Sequence, residues 1–286
     1  MPDRGAAGPL EAAAVAAAAG DAPALEAVLA GVRDDVYGLA LRMLWHPHDA
    51  ADATQDILIK VMTRLGTYRG DAALRTWVFR IAANHLLTVR LGRVERQDLS
   101  FEAFGADLAD GLADPPEHND VDLRLLEEEV KVGCTQAMLS CLDREHRLAF
   151  VLGSVFCLPG ADAAAVCGVE PQVYRKRLSR ARNRIRQFMQ GHCGLVNNDA
   201  ACSCRRRITA ATRSGRTDPG RLLFATAPRG ALGPAIQEME DLHATAAVFQ
   251  SQPAYAAPQH VIHSIRAVLA SGRFPLVTTT ARTPNQ

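Results

Sequence analysis

The chain has 286 residues, 48% of them apolar and 5% aromatic, and a formal net charge of +1. That length has room for two or three domains, and scarce aromatics beside abundant Ala favour helices over sheets. No apolar run reaches the roughly 18–20 residues that span a bilayer, and an odd count of seven cysteines speaks against a disulfide framework.

Residues 1–23 read as an N-terminal tail, flexible or helical. Its Ala-rich stretch 11–19 is flanked by Glu11 and Asp21 and is a surface or frayed helix, not a signal peptide. Without a signal, and without a spanning segment, the chain is expected in the cytoplasm with reduced thiols and no membrane insertion.

The first compact block covers 24–96. Val28, Leu29, Val32, Val36, Leu39, Ala40, Met43 and Leu44 recur at steps of three and four, the mark of an amphipathic helix. Trp45-His46-Pro47-His48 breaks it, and Asp49 is placed to cap a second helix that buries Ile57, Leu58, Val61 and Leu65. After a loop at 66–71, Leu74, Trp77, Val78 and Ile81 open a third helix that runs to about Arg90.

Residues 97–123 carry eight carboxylates and no Lys or Arg; Pro115-Pro116 and two glycines make this an acidic linker without regular structure. A second helical block spans 124–190. Residues 191–220 are rich in Cys and Arg, with a flexible part from about 208. The remainder, 221–286, holds a helical pair at about 231–250 and 258–271, split by Pro253 and Pro258. The fold class is therefore all-α: two small helical domains joined by an acidic linker, plus a C-terminal helical extension.

The most informative segment is 171–186, PQVYRKRLSRARNRIR. Seven of its residues are basic and none is acidic, while Tyr174, Leu178, Ala181 and Ile185 form one apolar stripe. A short helical stretch, 162–169, with a Gly turn precedes it. The pair has the form of a helix-turn-helix whose second helix enters the major groove. In a chain of net charge +1, such a concentration of cations is placed.

Three motifs then resemble one family. Asp49 to Asp56 followed by Ile57-Leu58 is similar to the polymerase-binding helix of bacterial sigma factors. Tyr68-Arg69-Gly70 with Thr76 to Asn84 resembles the segment that melts and reads the −10 promoter element, and Arg175 to Arg182 resembles the −35-reading helix. Their order and spacing resemble the small extracytoplasmic-function class, over about 24–190. Asp162 stands where that class often has Glu.

The resemblance implies a factor that binds core RNA polymerase and promoter DNA, recognises the −35 and −10 elements, initiates transcription, and takes an anti-sigma factor or other regulator as a further partner. Asp52, Gln55 and Asp56 would bind core polymerase. Tyr68, Arg69, Arg75, Trp77, Arg80 and Asn84 would meet the −10 DNA, although Trp77 is in step with Leu74 and Ile81, so its ring itself reads as core. Gln172, Arg175, Lys176, Ser179 and Arg180 would meet the −35 DNA, where Arg suits bidentate pairing with guanine.

Enzyme readings find no support: there is no phosphate-binding glycine loop, HExxH or nucleophile elbow. No cofactor is required. His192, Cys193, Cys202 and Cys204 admit a zinc site, though neighbours at 192 and 193 reach one ion with difficulty. A redox pair with thiol pKa values lowered by Arg205–Arg207 is comparable, while Cys134, Cys141, Cys157 and Cys167 read as core. Two rivals remain: a stand-alone helix-turn-helix regulator, and a metal- or redox-sensing DNA-binding protein.

Overall fold

The computed structural model describes residues 8–89, 99–113, 120–225 and 241–270, and all regular structure among them is helical. It divides into two units, residues 1–90 with 255–286 and residues 91–254.

The first unit is built on α1 (Pro9–Ala18), α2 (Ala22–Leu44), α3 (Pro47–Arg64) and α4 (Leu74–Thr88). Asp21 caps α2 by accepting from the Ala24 amide at 3.0 Å. The expected stripe of α2 is buried from Val28 to Leu44. Trp45 ends that helix in a left-handed conformation, φ 63°. Pro47, not a residue after Asp49, begins α3; its fixed φ suits a first helical position, and Asp49 falls in the first turn. The N-terminal stretch is a docked helix. Ala14 and Ala17 of α1 are buried, and the Glu11 carboxylate accepts from the Leu74 amide at 3.3 Å, at the start of α4.

The second unit holds α5 (Phe101–Ala109), α6 (Asp120–Ser140), α7 (Arg144–Phe150), α8 (Gly160–Cys167), α9 (Pro171–His192), α10 (Cys204–Arg213) and α11 (Asp241–Gln250). A π-helical turn, Val151–Val155, continues α7. The acidic linker is thus not free of structure. Ser100 caps α5 through the Ala103 amide, and Phe104 stacks on Phe188 of α9 with centroids 5.3 Å apart. The carboxylates had hidden two aromatics and Leu108 at helical spacing.

Segment 208–220, expected to be flexible, contributes α10 instead. Ile208 and Ala211 join Leu123, Leu126 and Val130 of α6 in one apolar cluster. Arg207, 2% exposed, donates to the Asp110 carbonyl at 2.8 Å and to the Asp107 carboxylate. Arg216 forks onto the same carboxylate at 2.6 and 2.8 Å. The Arg216 hydrogen bond, with Coulomb attraction from both guanidiniums, outweighs desolvation and holds Asp107 below the usual carboxylate range. The carboxylate is 40% exposed, so its attractions are screened, and Asp107→Asn is expected to lower stability by about 1 kcal/mol at pH 7. A depressed folded pKa contributes stability that is fully present above the unfolded value and is lost as pH falls through the folded one, so urea melts of wild type and variant should begin to converge below about pH 4 and meet only below the depressed folded pKa.

The C-terminal helices find separate surfaces. Phe249 of α11 packs edge-on against Phe150 at 4.9 Å, within the second unit. In the first unit, α12 (Gln259–Ala270) packs on α3, burying Val261 and Ile265. Residues 231–240 of the expected pair lie outside the described residues.

Candidate nucleic-acid interface

Helix α8, the turn Gly168-Val169-Glu170 and helix α9 make the expected helix-turn-helix. Gly168 closes α8 at φ 65°, where a side chain would add strain. Gly153 lets α9 approach the π-helical turn: a Cβ there would stand 2.4 Å from the Tyr174 hydroxyl, which donates to the Ala149 carbonyl at 3.3 Å. Tyr174, Ala181, Ile185, Phe188 and Met189 form the buried face of α9.

That packing divides six of the seven cations of α9 into two groups; the seventh, Arg186, donates to Asn183 at 3.4 Å. Arg177 pairs with Glu145 at 2.7 Å, Arg182 donates to the Gly153 carbonyl and Ser154 hydroxyl at 3.1 and 2.9 Å, and Arg184 lies over the Phe101 ring at 5.2 Å. These hold the domain together. Arg175, Lys176 and Arg180 are exposed and make no hydrogen bond or ion pair with another described residue. Together with Gln172 and Ser179 they line an open concavity of about 400 Å³. All five residues expected at the −35 element thus meet in one cationic, solvent-facing hollow.

On the first unit, Trp77, Arg80 and Asn84 lie along one face of α4, at steps of three and four. Arg80 and Asn84 are exposed, while Trp77 is half-buried with its ring 5.6 Å from that of Tyr68. The Tyr68 hydroxyl donates to the Ala72 carbonyl at 2.9 Å, which fixes the ring against the loop. Arg69 is exposed on that loop. Arg75 is not brought to this face. It sits about half a turn around α4, bound to Asp35 at 2.6 and 3.0 Å and above the Phe79 ring.

Asp52 and Asp56 are exposed, one turn apart on α3, with Gln55 half-buried beside them. Asp56 stands 3.8 Å from His85, whose Nδ1 accepts from the Lys60 ammonium at 2.5 Å. Burial, then the charge of Lys60, push the His85 pKa below its ordinary value, in keeping with a neutral, accepting ring.

The model of Sigma-70 region 2 matches residues 30–93, from within α2 to just past the end of α4. RNA polymerase sigma-H factor of Pseudomonas aeruginosa is 27% identical over 172 residues, 60% of this chain and 89% of that protein. ECF RNA polymerase sigma factor SigC of Mycobacterium tuberculosis is 30% identical over 176 residues, 60% of this chain and 86% of that protein. The chain belongs to the extracytoplasmic-function family of RNA polymerase sigma factors. SigE of Mycolicibacterium smegmatis, of the same family, is 31% identical over 163 residues, 56% of this chain and 59% of that protein.

The Cys/Arg-rich segment of this sigma factor is organised differently from its sequence reading. The quartet His192, Cys193, Cys202 and Cys204 is not assembled, because the His192 ring turns to Phe188, 4.8 Å away, and lies over Gly105. Cys134 of α6, taken for core, does pack against the apolar cluster of α6 and α10, and it also lines one small cavity of about 30 Å³ with Cys193, Cys202 and Cys204. Among the described residues, no three His, Cys, Asp or Glu side chains are set to hold a metal ion. Nor are the thiols activated: burial pushes Cys134 up to about 12 and Cys193 up to about 11, so the neighbouring arginines do not prevail. No helix among the described residues is long and apolar enough to cross a membrane.

One buried anchor escaped the sequence reading. Glu129 of α6, 4% exposed, accepts from the Leu223, Phe224 and Ala225 amides at 2.8, 2.9 and 2.9 Å. Its partners are backbone groups almost a hundred residues away, which no local spacing signals.

Proposed function

We propose that the three surfaces divide the work of promoter recognition. Asp52, Gln55 and Asp56 on α3 dock core RNA polymerase. Tyr68, Arg69, Trp77, Arg80 and Asn84 meet the −10 element as it opens, with the Tyr68–Trp77 pair as an aromatic surface for unstacked bases. Gln172, Arg175, Lys176, Ser179 and Arg180 read the −35 element in duplex form, by hydrogen bonds to base edges and phosphates. Arg75 contributes through Asp35, by fixing the start of α4. The polymerase supplies the chemistry; this chain is not an enzyme, works in the cytoplasm, and is open to control by an anti-sigma factor.

The observation that carries this reading is the hollow on α9, in which the cations not used for packing converge with Gln172 and Ser179. The stand-alone regulator gives no role to an exposed acidic pair on α3 or to the face of α4. Permanganate footprinting tests the proposal. With core polymerase and a cognate promoter, thymines around −10 should become reactive. Trp77→Ala should cut that reactivity about 5- to 150-fold, the loss of one stacking contact of about 1–3 kcal/mol. Duplex binding without opening, with or without core enzyme, would favour the stand-alone regulator.

A further inference from the structure

Helix α3 buries more of itself than one neighbour requires. Ala50, Thr54, Ile57 and Val61 form one buried stripe, and Ala51, Leu58 and Met62 form a second beside it. Gln55, half-buried, belongs to the second stripe, and Asp52 and Asp56 lie on the exposed face next to it. Part of the cover on α3 comes from the far end of the chain. Helix α12 packs on α3 and sinks Val261 and Ile265, each no more than 2% exposed.

The attachment extends to α2, and it is largely electrostatic. The Ala257 amide donates to Asp34 at 3.0 Å, and Arg266 binds Glu26 through Nε at 2.6 Å. The Arg42 guanidinium, 7% exposed, lies 4.5 Å from the centre of the Tyr255 ring. A short apolar helix, with a cation for Glu26 and a preceding amide for Asp34, is thus seated on α2 and on α3, the helix that carries the exposed Asp52 and Asp56. Such a set of groups is what a cationic partner would bring to an acidic docking surface.

The attachment is also weak enough to let go. Both members of the Arg266–Glu26 pair are about half exposed, a setting in which an ion pair contributes little. Twelve residues form a helix that is marginal in isolation, so α12 depends on this surface for its order.

We propose that segment 255–270 is an intramolecular competitor of core polymerase. Docked on α2 and α3, it covers part of the surface through which this domain engages the enzyme, and it must lift off before the complex forms. Apparent affinity for core polymerase is then the intrinsic affinity scaled by the fraction of molecules with α12 released. This rests on the reading of α3 as the docking helix.

Binding of core polymerase to fluorescently labelled full-length protein tests it, with circular dichroism melts on every variant. Ile265→Asp places a charge in the buried seat of α12 and should tighten binding about 5- to 30-fold. Glu26→Arg, which sets two cations against each other, should tighten it about 2- to 5-fold. Joined with Arg266→Glu, it should return to the wild-type value. That restoration would exclude misfolding as the cause. If wild type binds core and directs specific transcripts while Ile265→Asp and Glu26→Arg bind equally well or more weakly, the competitor is refuted and the sigma activity stands. If no form binds core polymerase, the docking role of α3 falls and the proposal with it.

Discussion

Replacing Arg175, Lys176 and Arg180 by Ala is expected to abolish recognition of the upstream promoter element and to leave core polymerase binding intact. These side chains are exposed, unpaired among the described residues, and gathered around one hollow with Gln172 and Ser179. A good bidentate contact to a base discriminates by about 1–3 kcal/mol, so losing two would already cost roughly a hundred-fold. The salt dependence of binding should flatten too, because fewer phosphates are neutralised. Arg182 is the control. It holds Gly153 and Ser154 and is half-buried, so Arg182→Ala should lower the melting temperature of the domain. Electrophoretic mobility shifts with upstream-element duplexes, beside thermal melts, separate the two groups. Equal losses of stability in both would contradict the division of the α9 cations.

The second large effect is expected on α3. Asp52→Arg with Asp56→Arg should weaken core polymerase binding by about 2–4 kcal/mol, roughly 30- to 1000-fold, because like charges then face each other across the interface. Both positions are exposed and Arg is a good helix former, so helical content should be unchanged by circular dichroism. Titration of core polymerase with labelled protein measures the loss. Unchanged affinity would remove these carboxylates from the interface.

Much of this was legible in the sequence because it is written in local periodicity. The apolar steps of α2 and α3, the Gly turn before α9 and the cation-rich face of α9 each lie within a few helical turns. Pairings across the chain were not legible. The acidic linker concealed α5 because its eight carboxylates outweighed Phe101, Phe104 and Leu108, whose partner Phe188 lies more than eighty residues away. Likewise Arg207 looked like a modulator of thiols, until Asp107 met it across a hundred residues. Arg75 carried the composition of a DNA contact, yet Asp35 on another helix claims it. The thiols misled in the same manner: spacing joined His192 to the cysteines, whereas packing substitutes Cys134 from α6. Where α12 rests could not be read either, since an amphipathic stripe specifies a buried face without naming what buries it.

The most direct test of the central claim is run-off transcription with purified core polymerase over fragments of the protein's own genome. Discrete transcripts are expected that need both the protein and core enzyme, start downstream of a shared pair of sequence elements, and disappear with the triple Ala variant of α9. Specific duplex binding by the protein alone, with no discrete transcript from any fragment when core polymerase is added, would contradict it.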